Sequence, residues 1–93
     1  MGDLDDLEQL YVSKGDAVTD AVSLPSDFRD MLATLQSDPV RRIADRKSRI
    51  DNARRLIDQL DSADNNVVKM QKRRVIRAEL NAVREIDALE QHK

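Results

Sequence analysis

The fold is decided by residues 39–91, which read PVRRIADRKSRIDNARRLIDQLDSADNNVVKMQKRRVIRAELNAVREIDALEQ. Asp38 is a suitable N-cap, and Pro39 suits the first helical position, where its missing N–H has no intrahelical partner to lose. After Pro39 this stretch contains no further Gly or Pro. Polar residues 62–66 separate two apolar-periodic segments, so the sequence predicts helices over about 39–61 and 67–91 joined by a turn.

Apolar side chains recur every seven residues in both helices, a period typical of coiled coils. The first helix carries Ile43, Ile50 and Ile57, with Ala53 and Leu60 three residues after the last two. The second helix carries Val68, Val75, Ala82 and Leu89, and the stripe is widened by Ile76, Val83 and Ile86. Two long helices and a short turn predict an antiparallel hairpin, with Ile43 opposite Leu89, Ile50 opposite Ala82 and Ile57 opposite Val75.

The N-terminal part predicts short amphipathic helices. Residues 3–12 place Leu4, Leu7 and Tyr11 on one side. Residues 26–36 place four apolar side chains at helical spacing, namely Phe28, Met31, Leu32 and Leu35. Neither helix is long enough to be stable alone, so each needs a surface to pack on. The Leu4–Leu7–Tyr11 face predicts docking either on a partner, on a second copy, or on the chain's own hairpin.

Charge divides the chain at the same place as the helix pattern. Residues 1–38 contain nine acids and two bases, a net charge of −7, whereas residues 39–93 contain 14 bases and nine acids, a net charge of +5. We therefore divide the chain into an acidic arm with short amphipathic helices (1–37) and a basic antiparallel hairpin (38–93). Such asymmetry is typical of an interaction arm beside a partner-binding body, although the two parts could also attract each other.

Composition excludes several functional classes. The 93 residues include no Cys, which excludes disulfides, thiolate zinc sites and cysteine nucleophiles, and the single His92 has no second His to form a metal site. No apolar run has the length of a membrane span, and the acidic N-terminus is unlike a signal peptide. We expect a cytoplasmic protein with no cofactor, no metal and no membrane partner.

An arginine-rich face of the second helix is a candidate nucleic-acid contact. Its members are Arg73, Arg74, Arg77 and Arg84. Guanidinium groups on a rigid helix match phosphate oxygens, so this stripe could follow a nucleic-acid backbone. Aromatic side chains for base stacking are absent from the stripe, and a solvated, salt-bridged face is the alternative interpretation.

A resemblance suggests an enzyme as a third alternative. The stretch from Arg54 to Leu80, with Ile57-Asp58, Leu60-Asp61 and then Arg73 and Arg77, resembles the start of all-helical chorismate mutases. The resemblance covers under a third of the chain. It implies a dicarboxylate substrate bound between helices by Arg, Lys and Glu. Three charged residues lie on the apolar side, namely Arg46, Lys72 and Glu79, and they either serve such a site or have structural roles. In the structural interpretation, Lys72 and Glu79 snorkel or pair across a subunit interface, and Arg46 and Glu79 enforce the helix register.

The sequence thus predicts an all-α protein, a coiled-coil-like antiparallel hairpin with short N-terminal helices. We predict a non-enzymatic adaptor, assembly factor or regulator that binds a protein partner and itself, with a nucleic-acid-binding regulator as the alternative. The predicted protein-interaction residues are Leu4, Leu7, Tyr11, Val68, Val75, Ile76, Val83 and Ile86.

Overall fold

A computed structural model of the chain describes residues 2–14, 26–62 and 65–91, without the side chains of residues 90 and 91. Four helices run through these residues: α1 (Asp3–Ser13), α2 (Ser26–Ser37), α3 (Pro39–Leu60) and α4 (Asn66–Gln91). The prediction of an all-α fold is confirmed, and both long helices begin and end within one residue of the predicted bounds. Among the described residues, no helix is apolar over a length that could span a membrane.

Side-chain caps fix the start of both long helices. Asp38 has an extended backbone, and its carboxylate accepts a hydrogen bond from the Arg41 backbone N–H at 3.1 Å, with Pro39 as the first helical residue. Asn65 accepts from the Val67 backbone N–H at 2.8 Å in the same way before α4. Each cap satisfies a backbone donor that has no intrahelical partner.

Polar side chains join α3 to α4 along the antiparallel hairpin. From tip to base, the bonds are Lys72 to Gln59 at 2.7 Å, Asn52 to Glu79 at 3.2 Å and Arg46 to Asp87 at 2.6 Å. In each pair, the α4 residue lies within one position of the residue that the predicted register places opposite its α3 partner. The register therefore follows from the sequence pattern.

The face that α4 turns towards α3 differs from the prediction. The core along the hairpin consists of Ile50, Ala53, Ile57, Leu60, Ile76, Leu80 and Val83. Val68, Val75 and Ile43, which the heptad pattern placed between the helices, are 38%, 43% and 63% exposed. The apolar stripe on α4 is wider than the strip that α3 alone can cover. The positions of α1 and α2 therefore decide which of the remaining side chains are buried.

The two short helices lie on opposite faces of the hairpin. Both pack against α3 and α4, and within the described residues they do not pack against each other. On one face, α1 contributes Leu7 and Tyr11 to the core. On the other, α2 buries Phe28 and Leu35, and its first turn borders Ala78 of α4. Val75 and Val68 lie beyond this end of α2, which explains their exposure.

Candidate functional site: the outer face of α4

Most of the predicted interaction residues face the interior of the protomer. Leu7, Tyr11, Ile76, Val83 and Ile86 are each 2% exposed or less. Leu4 is partly buried against the same core. Three residues of the predicted self-association face, Ile76, Val83 and Ile86, are thus buried within the protomer. Of the predicted set, Val68 and Val75 are exposed and Leu4 is partly exposed.

Ion pairs attach the acidic helix α1 along the whole hairpin. At the base, Asp3 accepts two hydrogen bonds from Arg46, at 2.8 and 3.0 Å. Further along, Glu8 accepts from Arg84 at 2.8 Å, and at the tip Lys14 bonds Asp61 at 2.6 Å. Of the three docking modes left open for the Leu4–Leu7–Tyr11 face, α1 therefore adopts the one on its own hairpin.

Arg46 is shared between α1 and α4, since it also donates to Asp87. Its hydrogen bonds hold the pKa of Asp3 below the usual value for a carboxyl, against a smaller opposing effect of burial. The hydrogen bonds that Arg46 donates to Asp3 and then to Asp87 raise the pKa of Arg46 above its ordinary value. Arg46 stays charged and ties three helices together at the base.

The other charged residues predicted on the core side also pair between helices. Glu79 accepts from Arg49 at 2.8 Å, and its second oxygen accepts from Asn52. Arg49 also lies over the Phe28 ring of α2, 5.3 Å from its centroid. Lys72 is bonded to Gln59. These groups connect α2, α3 and α4 within one protomer, whereas the structural interpretation of the sequence expected Lys72 and Glu79 to snorkel or to pair across a subunit interface.

Exposed apolar side chains concentrate towards the tip of the hairpin. Of the eight large apolar side chains that are exposed among the described residues, six belong to the end of α1 or the first ten residues of α4: Leu10, Val12, Val67, Val68, Met70 and Val75. Val67 and Met70 are the most exposed of these, at 61% and 67%. The tip therefore presents an apolar surface that residues 2–14, 26–62 and 65–91 do not cover.

A basic groove surrounds Val67 and Met70. It has a volume of about 490 Å³ and is lined by these two residues with Gln71, Arg73, Arg74 and Arg77. Residues 66–78 carry five bases and no acid. Arg84, the fourth arginine of the predicted stripe, lies outside the groove and bonds Glu8. The structure thus brings three of the four arginines together around two apolar side chains.

A second concavity lies at the base, between α1 and α4. It has a volume of about 370 Å³, and its lining includes Leu4, Asp5, Glu8 and Ala88. Glu85, one turn before Ala88, is exposed. The charged lining of this base pocket is mixed, with Asp5, Glu8 and Asp87 beside Arg46 and Arg84, whereas the charged lining of the tip groove consists of arginines.

Sequence reasoning singled out the arginines but missed Val67, Met70, Asp5 and Glu85. The sequence feature that could have indicated the groove is the segment 66–78, which contains five bases and no acid. No signal indicated the base pocket, because it forms only when α1 docks. No group of His, Cys, Asp or Glu in the described residues is arranged to hold a metal ion.

Comparisons of the chain with protein-family models, with curated proteins and with solved structures give no match. A function for this chain has to be inferred from its own residues.

Proposed function

We propose that the protein is a non-enzymatic interaction module that self-associates through the outer face of α4, with a second copy of the chain as its partner. One observation carries the proposal: Val67 and Met70, 61% and 67% exposed, lie in a groove with three arginines. An exposed apolar surface of this kind, bordered by charge, is typical of interaction sites.

Charge complementarity favours a second copy as the partner. The groove is basic, and the same chain supplies an acidic surface, since residues 1–38 have a net charge of −7. Within the protomer, the acidic α1 already binds the basic hairpin outside the groove: Glu8 accepts from Arg84, and Leu7 and Tyr11 pack on the hairpin. A domain of this size buries a modest fraction of its surface, so self-association adds stability.

The test compares two matched double variants by sedimentation equilibrium. Val67→Asp with Met70→Asp places two acids in the groove, at the second and fifth residues of α4. Val40→Asp with Ile43→Asp places two acids at the second and fifth residues of α3, where the side chains are 80% and 63% exposed. The helix positions are equivalent, so effects on helix stability are matched.

We expect the wild type to show a reversible dimer over about 1–200 μM, in the range of small interfaces. The α4 double variant is expected to stay monomeric, and the α3 double variant to associate like the wild type. Equal loss in both variants, or a wild type that is monomeric throughout, would contradict the proposal.

A nucleic-acid-binding role is the second candidate, supported by the five bases and no acid over residues 66–78. Phosphate contacts make affinity fall steeply with salt, whereas apolar helix packing responds little. Fluorescence anisotropy with a labelled oligonucleotide, at about 50 and 200 mM salt, measures this. Binding that is salt-sensitive and lost when Arg73, Arg74 and Arg77 are changed together to Gln supports this role. Binding that survives the triple change excludes this groove as the nucleic-acid contact.

A further inference from the structure

We infer that two copies pair antiparallel across the outer faces of α4, with Arg74 of each copy facing Glu85 of the other and Met70 of each seated in the other's base pocket. This inference rests on the proposed self-association and specifies the surface that the basic groove binds.

The charges along α4 favour an antiparallel arrangement. The first half of the helix, over residues 66–78, carries five bases and no acid, whereas residues 79–91 carry four acids and one base. Two copies side by side in the same direction would place like charges together. Two copies in opposite directions place the basic half of each beside the acidic half of the other, which is the favourable arrangement. A two-fold axis generates both contacts at once.

Helical spacing gives the register of the pairing. Positions 70, 74, 77, 81, 85 and 88 of α4 follow spacings of three and four residues, so they share the outer face. A two-fold axis between Arg77 and Asn81 places Met70 opposite Ala88 of the second copy and Arg74 at the level of its residues 84 and 85. Of these two residues, Glu85 shares the outer face, whereas Arg84 turns towards α1 and bonds Glu8. Arg74 and Glu85 are both exposed in the protomer, so each is available for such a contact.

The base pocket suits a methionine side chain. It has a volume of about 370 Å³, with Leu4 and Ala88 as apolar lining. Its charged lining consists of three acids and of two arginines that are already paired within the protomer, namely Asp5, Glu8, Asp87, Arg46 and Arg84. Methionine is unbranched and flexible, so it fills irregular apolar concavities well. In the antiparallel register, Met70 arrives at this pocket while the arginines beside it come close to Asp5 and Glu85. One register therefore satisfies both the apolar contact and the charge contacts.

The size of the contact is that of a reversible dimer. A 26-residue helix is about 39 Å long, and α1 adds about 16 Å of a second helix beside it. With about 10 Å of width for each helix, the face covers roughly 550 Å² per copy. The total of about 1,100 Å² reaches the lower bound of specific interfaces, which predicts a weak, concentration-dependent dimer.

The test reverses one charge at a time and then mixes the variants. In Arg74→Glu, the proposed contact sets two acids against each other twice in the homodimer. In Glu85→Arg, it sets two arginines against each other twice. We expect each variant alone to dimerise at least about tenfold more weakly than the wild type, because facing like charges repel. Circular dichroism of each variant checks that helix content is unchanged.

An equimolar mixture of the two variants contains only opposite charges at both contacts of the heterodimer. We therefore expect the mixture to recover the wild-type dissociation constant in sedimentation equilibrium. The chain carrying both changes is expected to recover it as a homodimer. As a control, Lys47→Glu reverses an exposed charge on the opposite, outer side of α3 and is expected to leave dimerisation unchanged.

The outcomes separate this inference from the proposed function. If the wild type dimerises but the two variants still associate weakly when mixed, the antiparallel register is wrong. Self-association itself would then remain supported. A wild type that is monomeric throughout overturns the self-association itself. Recovery by mixing supports both.

Discussion

The base and the tip of the hairpin are built from the same two helices but are covered differently. At the base, α1 and α2 enclose the hairpin on opposite faces, and Arg46 and Arg49 are paired with carboxylates of neighbouring helices. Towards the tip, α2 no longer reaches, and Val67, Val68, Met70 and Val75 are exposed. Burial in this molecule therefore depends on where the short helices end as much as on the periodicity of α3 and α4.

The largest effect is expected from Asp substitutions at two positions that the heptad pattern places opposite each other between α3 and α4. Ile57 is 0% exposed and Val75 is 43% exposed. We expect Ile57→Asp to abolish cooperative unfolding, since a buried unpaired carboxylate costs at least about 4 kcal/mol. Val75→Asp is expected to cost about 1 kcal/mol or less. Urea unfolding followed by circular dichroism measures both, and similar losses would contradict the conclusion that coverage by the short helices, and not heptad position alone, decides burial.

A smaller effect is expected at Glu79, whose side chain is 16% exposed and bonded to Arg49 and Asn52. Glu79→Ala leaves the partly buried Arg49 without this carboxylate, so we expect a loss of about 1–3 kcal/mol in the free energy of unfolding. Asp58→Ala removes an exposed carboxylate from α3 and serves as the control, with an expected change within about 0.5 kcal/mol. A Glu79 variant as stable as the Asp58 variant would show that the polar connection of α2, α3 and α4 contributes little.

The smallest effect concerns the attachment of α1 at the base. Arg46 lowers the pKa of Asp3 in the folded state, so this pair stabilises the fold above the carboxyl's unfolded pKa. The contribution is lost as the pH falls below about 4 and through the lower folded value. Because the Asp3 side chain is 47% exposed and screened by water, we expect Asp3→Asn to cost about 0.5 kcal/mol at neutral pH.

The stability difference between Asp3→Asn and the wild type should shrink towards zero in strongly acidic solution, as measured by urea midpoints across the pH range. Asp6→Asn, at an exposed position of α1 outside the Arg46 pairing, is the control at each pH. A difference that persists unchanged in acid would assign the effect to packing of α1 rather than to the ion pair.

The helices and their register could be predicted because their signals are local. Asp38 with Pro39 marks the start of α3, and the heptads align Gln59 with Lys72 to within one residue. The orientation of α4 could not be predicted, because it depends on where α1 and α2 dock. The same amphipathic pattern in α1 fits a groove on a partner or on its own hairpin, and only the three-dimensional contacts of Leu7 and Tyr11 decide between them.

The arginine stripe at the candidate site could likewise be predicted only in part. Arg77 and Arg84 are seven residues apart and equivalent in sequence. The structure places Arg77 in the tip groove and Arg84 against Glu8, a residue 76 positions away in the chain. Long-range pairing of this kind has no local sequence signal. The sequence therefore shows the arginine stripe, but it does not show which arginine lies in the groove and which one pairs with α1.

The position of Tyr11 supplies a built-in optical probe. The chain contains one tyrosine and no tryptophan, so Tyr11 is its dominant source of near-ultraviolet emission. Its ring is 0% exposed, and its hydroxyl donates to the Arg73 carbonyl oxygen at 3.4 Å. Emission and quenching by added iodide thus report whether α1 is docked, while far-ultraviolet dichroism reports the long helices. Dissociation of α1 and unfolding of the hairpin can therefore be followed separately on the unlabelled protein.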